Sequence, residues 1–337
     1  MSAIAVLGAG SFGTTLAVHA ASLADRVVLW ARRPELAAEL AARCENALYL
    51  PGIRLPAAVE PTADLAAAAD CRLVLVAIPS HGFRDALRGF LAAAPGRRRL
   101  ALVSVAKGIE EGSLARMSEV AAQEAAAAGR ELSFAVLSGP CFAVELARGA
   151  PTAAVVAAAD GAFATRVQRR LASAGLRLYS SQDVAGVELA AAAKNVIAIA
   201  AGAVAGLGLG HNALAALITR GLHEIARLGL AYGGQAPTFS GLAGLGDLVL
   251  TCTGEPSRNR RVGIELAAGR SREQIAGGTR MVAEGIRTSR AVARLAARRR
   301  VAMPITEQVV GLLYEGKDPR RAVTELMTRR LKPEAKL

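Results

Sequence analysis

The stretch AIAVLGAGSFGTTLAVHA, residues 3–20, decides how the chain is read. AIAVLG is a short apolar run with the composition of a buried strand, and a helical segment is predicted from Phe12 to Ala24. The hexapeptide GAGSFG (8–13) lies where the two meet. A G-x-G-x-x-G pattern alone says little. After a strand, opening a helix, at the start of a βαβ unit, it is specific. Gly8 makes the tight turn, Gly10 lets the backbone approach a pyrophosphate, and Gly13 lets helix and strand pack closely. The helix N-terminus then turns N–H groups and a partial positive charge toward the phosphates.

Outward from that turn, apolar runs recur as RVVLWA (26–31), CRLVLVAIP (71–79), LALVSVA (100–106), LSFAVLSG (132–139), TAAVVAA (152–158) and LRLYS (176–180), with helical composition between them. Strands alternating with helices predict a parallel, doubly wound α/β sheet. From about residue 183 the β signal fades, and helices are predicted over 183–205, 213–232, 261–268, 271–276, 282–299 and 306–315. The expectation is a dinucleotide-binding domain over 1–182 and a helical domain over 183–337, and a chain of 337 residues suits two domains. No internal repeat stands out.

The second strand ends in Trp30-Ala31-Arg32-Arg33. NAD sites place an acidic residue there, to accept from the ribose 2′-OH. Two guanidinium groups suit a 2′-phosphate instead. NADP(H) is therefore expected in preference to NAD(H), with two solvated arginines opening a helix as the plain alternative.

Net charge is +13, from 41 Lys+Arg against 28 Asp+Glu. The arginines are scattered, in short clusters at 97–99, 298–300 and 329–330, without interleaved aromatics, which argues against nucleic acid as a partner. A positive field also suits a small phosphorylated substrate. Cys44, Cys71, Cys141 and Cys252 show no metal-ligand spacing, so no metal is expected, and separate thiols fit a reducing cytoplasm. Residues 195–219 contain no Asp, Glu, Lys or Arg and are long enough to cross a bilayer. Gly202, Gly206, Gly208 and Gly210 interrupt them, so two buried helices joined by a glycine turn are expected rather than a membrane span.

Lys107 follows the strand LALVSVA, at the end where open α/β sheets bind ligands. Lys194 lies among small apolar residues on a predicted helix, so it either reaches the surface along its stem or is held at a buried functional site. Burial beside a second cation would lower its pKa and suit it to give a proton to a ketone under reduction. Asn195 could orient a partner. Asp247, after the glycine turn of GLAGLGD (241–247), is either a helix N-cap or an orienter of the lysine or of a substrate hydroxyl. TCTGEPSRNRR (251–261) carries a turn followed by Ser257, Arg258 and Asn259, which reads as a helix cap, an anion cradle or both.

These motifs resemble the bacterial NAD(P)-dependent glycerol-3-phosphate dehydrogenases, from the first strand to about residue 327. LGAGSFGT (7–14), ENALYLPGI (45–53), AIPSHGFR (77–84), AKGIE (106–110), SGPCFAVE (138–145), AAKNVIAIAAG (192–202), NALAALITRGL (212–222), GLAGLGDLVLTC with SRNRR (241–261), VAEGIRTS (282–289) and MPITEQV (303–309) occur in the family's order. The resemblance implies a Rossmann domain followed by an all-helical, 6-phosphogluconate-dehydrogenase-like domain. It also implies reversible reduction of dihydroxyacetone phosphate to sn-glycerol 3-phosphate, which feeds glycerophospholipid synthesis, and a homodimer. Matched motif by motif, Ser11, Phe12, Arg32, Arg33, Lys107, Ala143, Arg258, Val282 and Glu284 would contact the nicotinamide cofactor along with the glycines. Lys107, Gly139, Cys141, Lys194, Asp247, Ser257, Arg258 and Asn259 would surround the substrate, with Lys194 as the acid/base. The family usually has Ser or Thr where this chain has Cys141. A thiol is the weaker hydrogen-bonding group, so the contact is expected to pass through the backbone N–H. A β-hydroxyacid or sugar-acid dehydrogenase and a non-catalytic dinucleotide sensor are the rival readings.

Overall fold

Ala3–Leu7 (β1) and Arg26–Trp30 (β2) pair in parallel, and their alternate residues enter two different cores. Ile4, Val6, Val27 and Leu29 belong to one buried cluster; Ala5, Leu7, Val28 and Trp30 belong to another. A sheet dry on both faces needs strands that are apolar at every position, which is why these strands read as unbroken apolar runs. The structure is a computed structural model and describes residues 3–95, 99–277, 283–331, 333 and 334.

The remaining strands are Glu45–Asn46 (β3), Leu50–Arg54 (β4), Val59–Thr62 (β5), Leu73–Val76 (β6), Arg99–Ser104 (β7), Glu131–Ser138 (β8), Thr152–Ala157 (β9) and Leu176–Ser181 (β10). Eight of the ten form one sheet in the order β10-β9-β8-β7-β6-β1-β2-β5, while β3 and β4 make a separate antiparallel hairpin. The chain builds outward from β1 to β2 and β5, then returns to β6 on the other side. The glycine turn after β1 thus sits where the strand order reverses, the usual ligand position in such sheets. One expectation is corrected: the sheet is not wholly parallel, because β9 runs antiparallel to β8. The hairpin and β5 were not anticipated. Pro51 and Gly52 break the pattern of β4, and Pro61 lies in β5, at the sheet edge where proline is tolerated.

By internal packing the chain divides into two units, Met1–Ala106 with Ala115–Val184, and Lys107–Leu114 with Ala185–Leu337. Helices of the first unit are Ser11–Ala20 (α1), Pro34–Arg43 (α2), Ser80–Ala93 (α3), Met117–Ala127 (α4), Ala143–Ala147 (α5) and Gly161–Leu171 (α6). Leu16 of α1, Leu40 of α2 and Val167 of α6 join one core cluster, and Phe83 of α3 and Val120 of α4 join the other, so both sheet faces are covered. Helix α1 is shorter than expected and stops at Ala20.

Among the described residues, the helices of the second unit are Val184–Gly206 (α7, from its second residue on), Gly210–Ala231 (α8), Ala236–Ser240 (α9), Asp247–Thr253 (α10), Arg258–Ala267 (α11), Arg272–Gly277 (α12), Glu284–Arg299 (α13), Pro304–Tyr314 (α14) and Pro319–Met327 (α15), with a π-helical turn over Leu242–Gly246. Helix α7 is long and apolar enough to cross a membrane, yet 83% of its most apolar window is buried inside the protein. Glycines make that burial close. A Cβ on Gly202 would lie 1.9 Å from the Arg260 carbonyl oxygen, and one on Gly263 would lie 1.9 Å from that of Ile199, so α7 and α11 touch backbone to backbone. The glycine turn between α7 and α8 is present, with Gly208 and Gly210 at positive φ. The expected burial of both helices holds only for α7, because the first turn of α8 is exposed.

Candidate active site

In the first unit the glycine turn has the shape its sequence demands. Gly8 adopts φ +112°, and a Cβ there would come within 2.6 Å of the Ala77 carbonyl oxygen. A Cβ on Gly13 would collide with the Gly8 carbonyl oxygen at 1.8 Å. Gly10 differs: nothing lies within 4 Å of where its Cβ would be. Gly10 caps α1 without a side-chain hydrogen bond, and no acidic residue occupies the first turn. Ser11, Phe12 and Gly13 form that turn, so uncapped backbone amides and an open backbone surface meet at the end of β1. The residues present therefore fit a dinucleotide pyrophosphate.

Arg32 and Arg33 follow β2, both exposed, and Arg33 is the N-cap residue of α2. Ala143 begins α5, and its carbonyl oxygen accepts from Thr15 Oγ1 of α1 at 3.0 Å. Gly139 adopts φ +151°, and a Cβ there would lie 2.8 Å from Ala154 Cα. Cys141 is half-buried against the same core. Val282 lies outside the described residues.

In the second unit three charged side chains converge. Asp247 is 1% exposed; its Oδ1 accepts from Lys194 Nζ at 2.5 Å and its Oδ2 from Lys107 Nζ at 2.6 Å. Its reading as an N-cap is corrected: Gly246 occupies that place, Asp247 is the first residue of α10, and its carboxylate faces the lysines. Lys194 is 5% exposed on α7 and also donates to Thr251 Oγ1 at 2.7 Å, while the Thr251 hydroxyl donates to the Asp247 carbonyl oxygen at 2.6 Å. Of its three donors, the ammonium spends two on this cluster.

Burial disfavours the charge on Lys194 and outweighs the attraction of Asp247; Lys107 pushes the same way, and the pKa falls to about 8. Burial also opposes the charge on Asp247, but the two ammonium groups prevail and hold the carboxyl below its usual range. Cys252, packed in the same core, is pushed up to about 12 chiefly by burial and stays a thiol.

The amide of Asn195 donates to the Lys107 carbonyl oxygen at 2.9 Å and accepts from Asn259 Nδ2 at 2.8 Å. Asn259 Oδ1 in turn accepts the Gly285 N–H at 2.9 Å. Asn195 thus orients a backbone, and the side chain of Asn259 is largely committed to bracing α11 against the start of α13. The Ser257 hydroxyl caps α11 by accepting from the Arg260 N–H at 3.2 Å. Arg258, the first residue of that helix, is solvent-exposed, yet neighbouring atoms lower its pKa by desolvation while Glu284 opposes the change. Thr251 was missed by sequence reasoning. Its signal was its spacing: a hydroxyl four residues after Asp247 shares a helix face with it.

The N-terminal part of the NAD-dependent glycerol-3-phosphate dehydrogenase family matches residues 3–164, and the C-terminal part matches residues 183–324. A glycerol-3-phosphate dehydrogenase of the NAD(P)+ type from Geobacter sp. (strain M21) is 50% identical over 332 residues, covering 98% of each chain. One from Moorella thermoacetica is 48% identical, over 97% of this chain and 96% of the relative. The crystal structure of glycerol-3-phosphate dehydrogenase from Coxiella burnetii superposes with a TM-score of 0.91 at 39% identity, covering 97% of this chain and 99% of that one. With both parts of the family matched in order and near-complete coverage at half identity, this chain belongs to the NAD-dependent glycerol-3-phosphate dehydrogenase family.

Proposed function

We propose that the protein catalyses the reversible NAD(P)-dependent reduction of dihydroxyacetone phosphate to sn-glycerol 3-phosphate, with NADPH preferred as reductant. The observation that carries the reading is the buried carboxylate of Asp247 gripping two lysines, which leaves Lys194 with one unspent donor and a pKa of about 8. A cofactor fits Gly8, Gly10, Ser11, Phe12, Gly13, Arg32, Arg33 and Ala143 of the first unit; Lys107, Arg258 and Glu284 of the second are further contacts. The nicotinamide supplies the hydride and takes it back in the reverse direction.

The chain's own residues do the rest. Lys194 in its ammonium form donates its proton to the oxygen of the substrate carbonyl, and before transfer its charge favours the developing alkoxide. In oxidation the neutral amine accepts the hydroxyl proton. Asp247 and Thr251 fix the position of Lys194, and the charge of Lys107 helps lower its pKa. At the start of α11, Ser257, Arg258 and the backbone of Asn259 present a capped helix terminus and a guanidinium to the phosphate. Gly139 and Cys141 bind substrate through the backbone, so Cys141→Ser should leave its KM nearly unchanged.

The NADPH preference rests on the two guanidinium groups after β2, where no carboxylate stands. We also propose a homodimer, a cytoplasmic location in keeping with four thiols, and a role in supplying sn-glycerol 3-phosphate for glycerophospholipids. The test is a spectrophotometric assay of NADPH and NADH oxidation with dihydroxyacetone phosphate. Substrate-dependent oxidation with higher kcat/KM for NADPH supports the reading. No turnover with this ketone ends it, and a preference for NADH ends the cofactor assignment. Light scattering on the purified chain reports the dimer.

A further inference from the structure

The β3–β4 hairpin, absent from the pattern of alternating strands and helices, connects to the glycine turn through one side chain. Asn46 is 1% exposed. Its Nδ2 donates to the Ala9 carbonyl oxygen at 3.0 Å and to Thr14 Oγ1 at 2.7 Å, and its Oδ1 accepts the Tyr49 N–H at 3.2 Å. One buried amide therefore holds the middle of the turn, the first part of α1 and the hairpin's own bend. Two details stiffen the hairpin. Glu45 Oε1 accepts the Gly52 N–H at 2.8 Å, and Gly52 adopts φ +76°.

The peptide joining Ala9 to Gly10 is trans. In a trans peptide the C=O and the N–H point in opposite directions. Drawing the Ala9 carbonyl toward buried Asn46 turns the Gly10 N–H the opposite way, away from Asn46, and nothing lies within 4 Å of the Gly10 Cβ position. The hairpin also reaches the arginines that follow β2. The Tyr49 hydroxyl accepts from Arg33 Nη2 at 3.4 Å. Asn46 and Tyr49 thus connect the pyrophosphate turn to the arginine that follows β2.

We propose that this hairpin is a positioning element for the cofactor, in which Asn46 sets the direction of the Gly10 N–H and Tyr49 holds Arg33 for the 2′-phosphate. The inference rests on the cofactor reading given above. Neither side chain takes part in the chemistry; each acts through a neighbour. The two arms differ in what they sense. The pyrophosphate is common to NADPH and NADH, so a fault at Asn46 weakens both alike. The 2′-phosphate belongs to NADPH alone, so a fault at Tyr49 weakens only that cofactor.

The experiment measures dissociation constants of NADPH and NADH by fluorescence titration for the full-length protein and for Asn46→Asp, Tyr49→Phe and Arg33→Ala, with thermal melting alongside. Asn46→Asp keeps the side-chain size but sets a carboxylate oxygen against the Ala9 carbonyl. It should raise both constants by about tenfold or more and leave their ratio unchanged. Tyr49→Phe removes one oxygen from a half-buried ring and should weaken NADPH roughly three- to tenfold, with NADH and melting temperature unchanged. A purely structural role would move the melting temperature without weakening both cofactors at Asn46, and without changing the ratio at Tyr49. If Arg33→Ala shifts the ratio and Tyr49→Phe does not, the Tyr49 arm is wrong while the cofactor reading stands. If Arg33→Ala leaves the ratio intact, the cofactor reading fails and takes that arm with it. Unaltered affinity for both cofactors in folded Asn46→Asp overturns the Asn46 arm, and Tyr49→Phe tests the hairpin even if that variant does not fold.

Discussion

Asp247 and Thr251 stand one helical turn apart on α10 and hold the Lys194 ammonium between them, the carboxylate oxygen at 2.5 Å and the hydroxyl at 2.7 Å. A seven-residue helix thus fixes the position of a buried ammonium carried by α7. The Thr251 hydroxyl spends its own proton on the Asp247 carbonyl, so it can only accept from the lysine. That arrangement aims the ammonium rather than competing with it.

With Lys194 as the proposed proton donor, its removal should abolish most turnover. Lys194→Ala is expected to lower kcat by roughly 10²–10⁴-fold with cofactor affinity retained. Thr251→Val should lower kcat by about tenfold at unchanged cofactor KM, and Thr251→Ser should restore it. Steady-state kinetics with both substrates varied checks this; near-normal kcat in Lys194→Ala would end the assignment.

The pKa of Lys194, lowered to about 8 by burial, gives opposite pH profiles in the two directions. Reduction needs the ammonium, so kcat should fall as pH rises through about 8. Oxidation needs the amine, so kcat should rise up to about 8 and level off above it. Profiles of the two directions that run parallel in this range would exclude Lys194 as the titrating group.

Asp247 pairs with two ammonium groups while itself nearly inaccessible to water. Asp247→Asn removes the carboxylate charge that both lysines share, and loss of one partner from a buried pair typically costs about 3–5 kcal/mol. Chemical denaturation should show a loss of that order. The Lys194 pKa should drop further, moving the alkaline limb of the reduction profile to lower pH.

Gly13→Ala brings a methyl group to 1.8 Å from the Gly8 carbonyl oxygen, which lies on rigid backbone. The turn must shift. Cofactor affinity should fall at least tenfold for NADPH and NADH alike, a loss of about 1.4 kcal/mol or more, as isothermal titration would report.

A further titration lies away from the chemistry. Glu224, 1% exposed on α8, accepts from the N–H groups of Ile305 and Thr306 at 2.6 and 3.2 Å and from the Thr306 hydroxyl at 3.1 Å, at the N-terminus of α14. Burial raises its pKa from 4.5 to about 7, against those hydrogen bonds and the nearby Arg227. Between these values the folded chain binds more protons than the unfolded one. Stability should therefore fall as pH rises from 4.5 to about 7 and show no further loss from this group above it, each unit corresponding to about 1.4 kcal/mol. Glu224→Gln should flatten that slope in melting curves taken across the range.

Much of the first unit was legible because β1 and its glycine turn are local features with strict backbone requirements. Strand direction is not local. An apolar run marks a buried strand but carries no sign, so the reversal of β9 against β8 was invisible. Pro51, Gly52 and Pro61 hid the hairpin and β5, and Asn46 looked like a loop residue until its hydrogen bonds were seen. In the second unit Lys194 was found because charge is rare in an alanine-rich helix. Its neighbour Thr251 was not, because the glycines of the preceding π-helical turn concealed α10. Ser257 was read in both its senses, and the hydroxyl does cap α11.

Lys107–Leu114 packs with helices that lie more than seventy residues further along the chain. Ile109 and Leu114, 2% and 4% exposed in the finished core, leave the ribosome long before α7 does. During synthesis this short stretch waits with its apolar side chains uncovered, a natural stop for a chaperone. A fragment begun at Ala185 would lack both side chains and one of the two cations on Asp247, so the helical half is not a module that can be cut out and expressed intact.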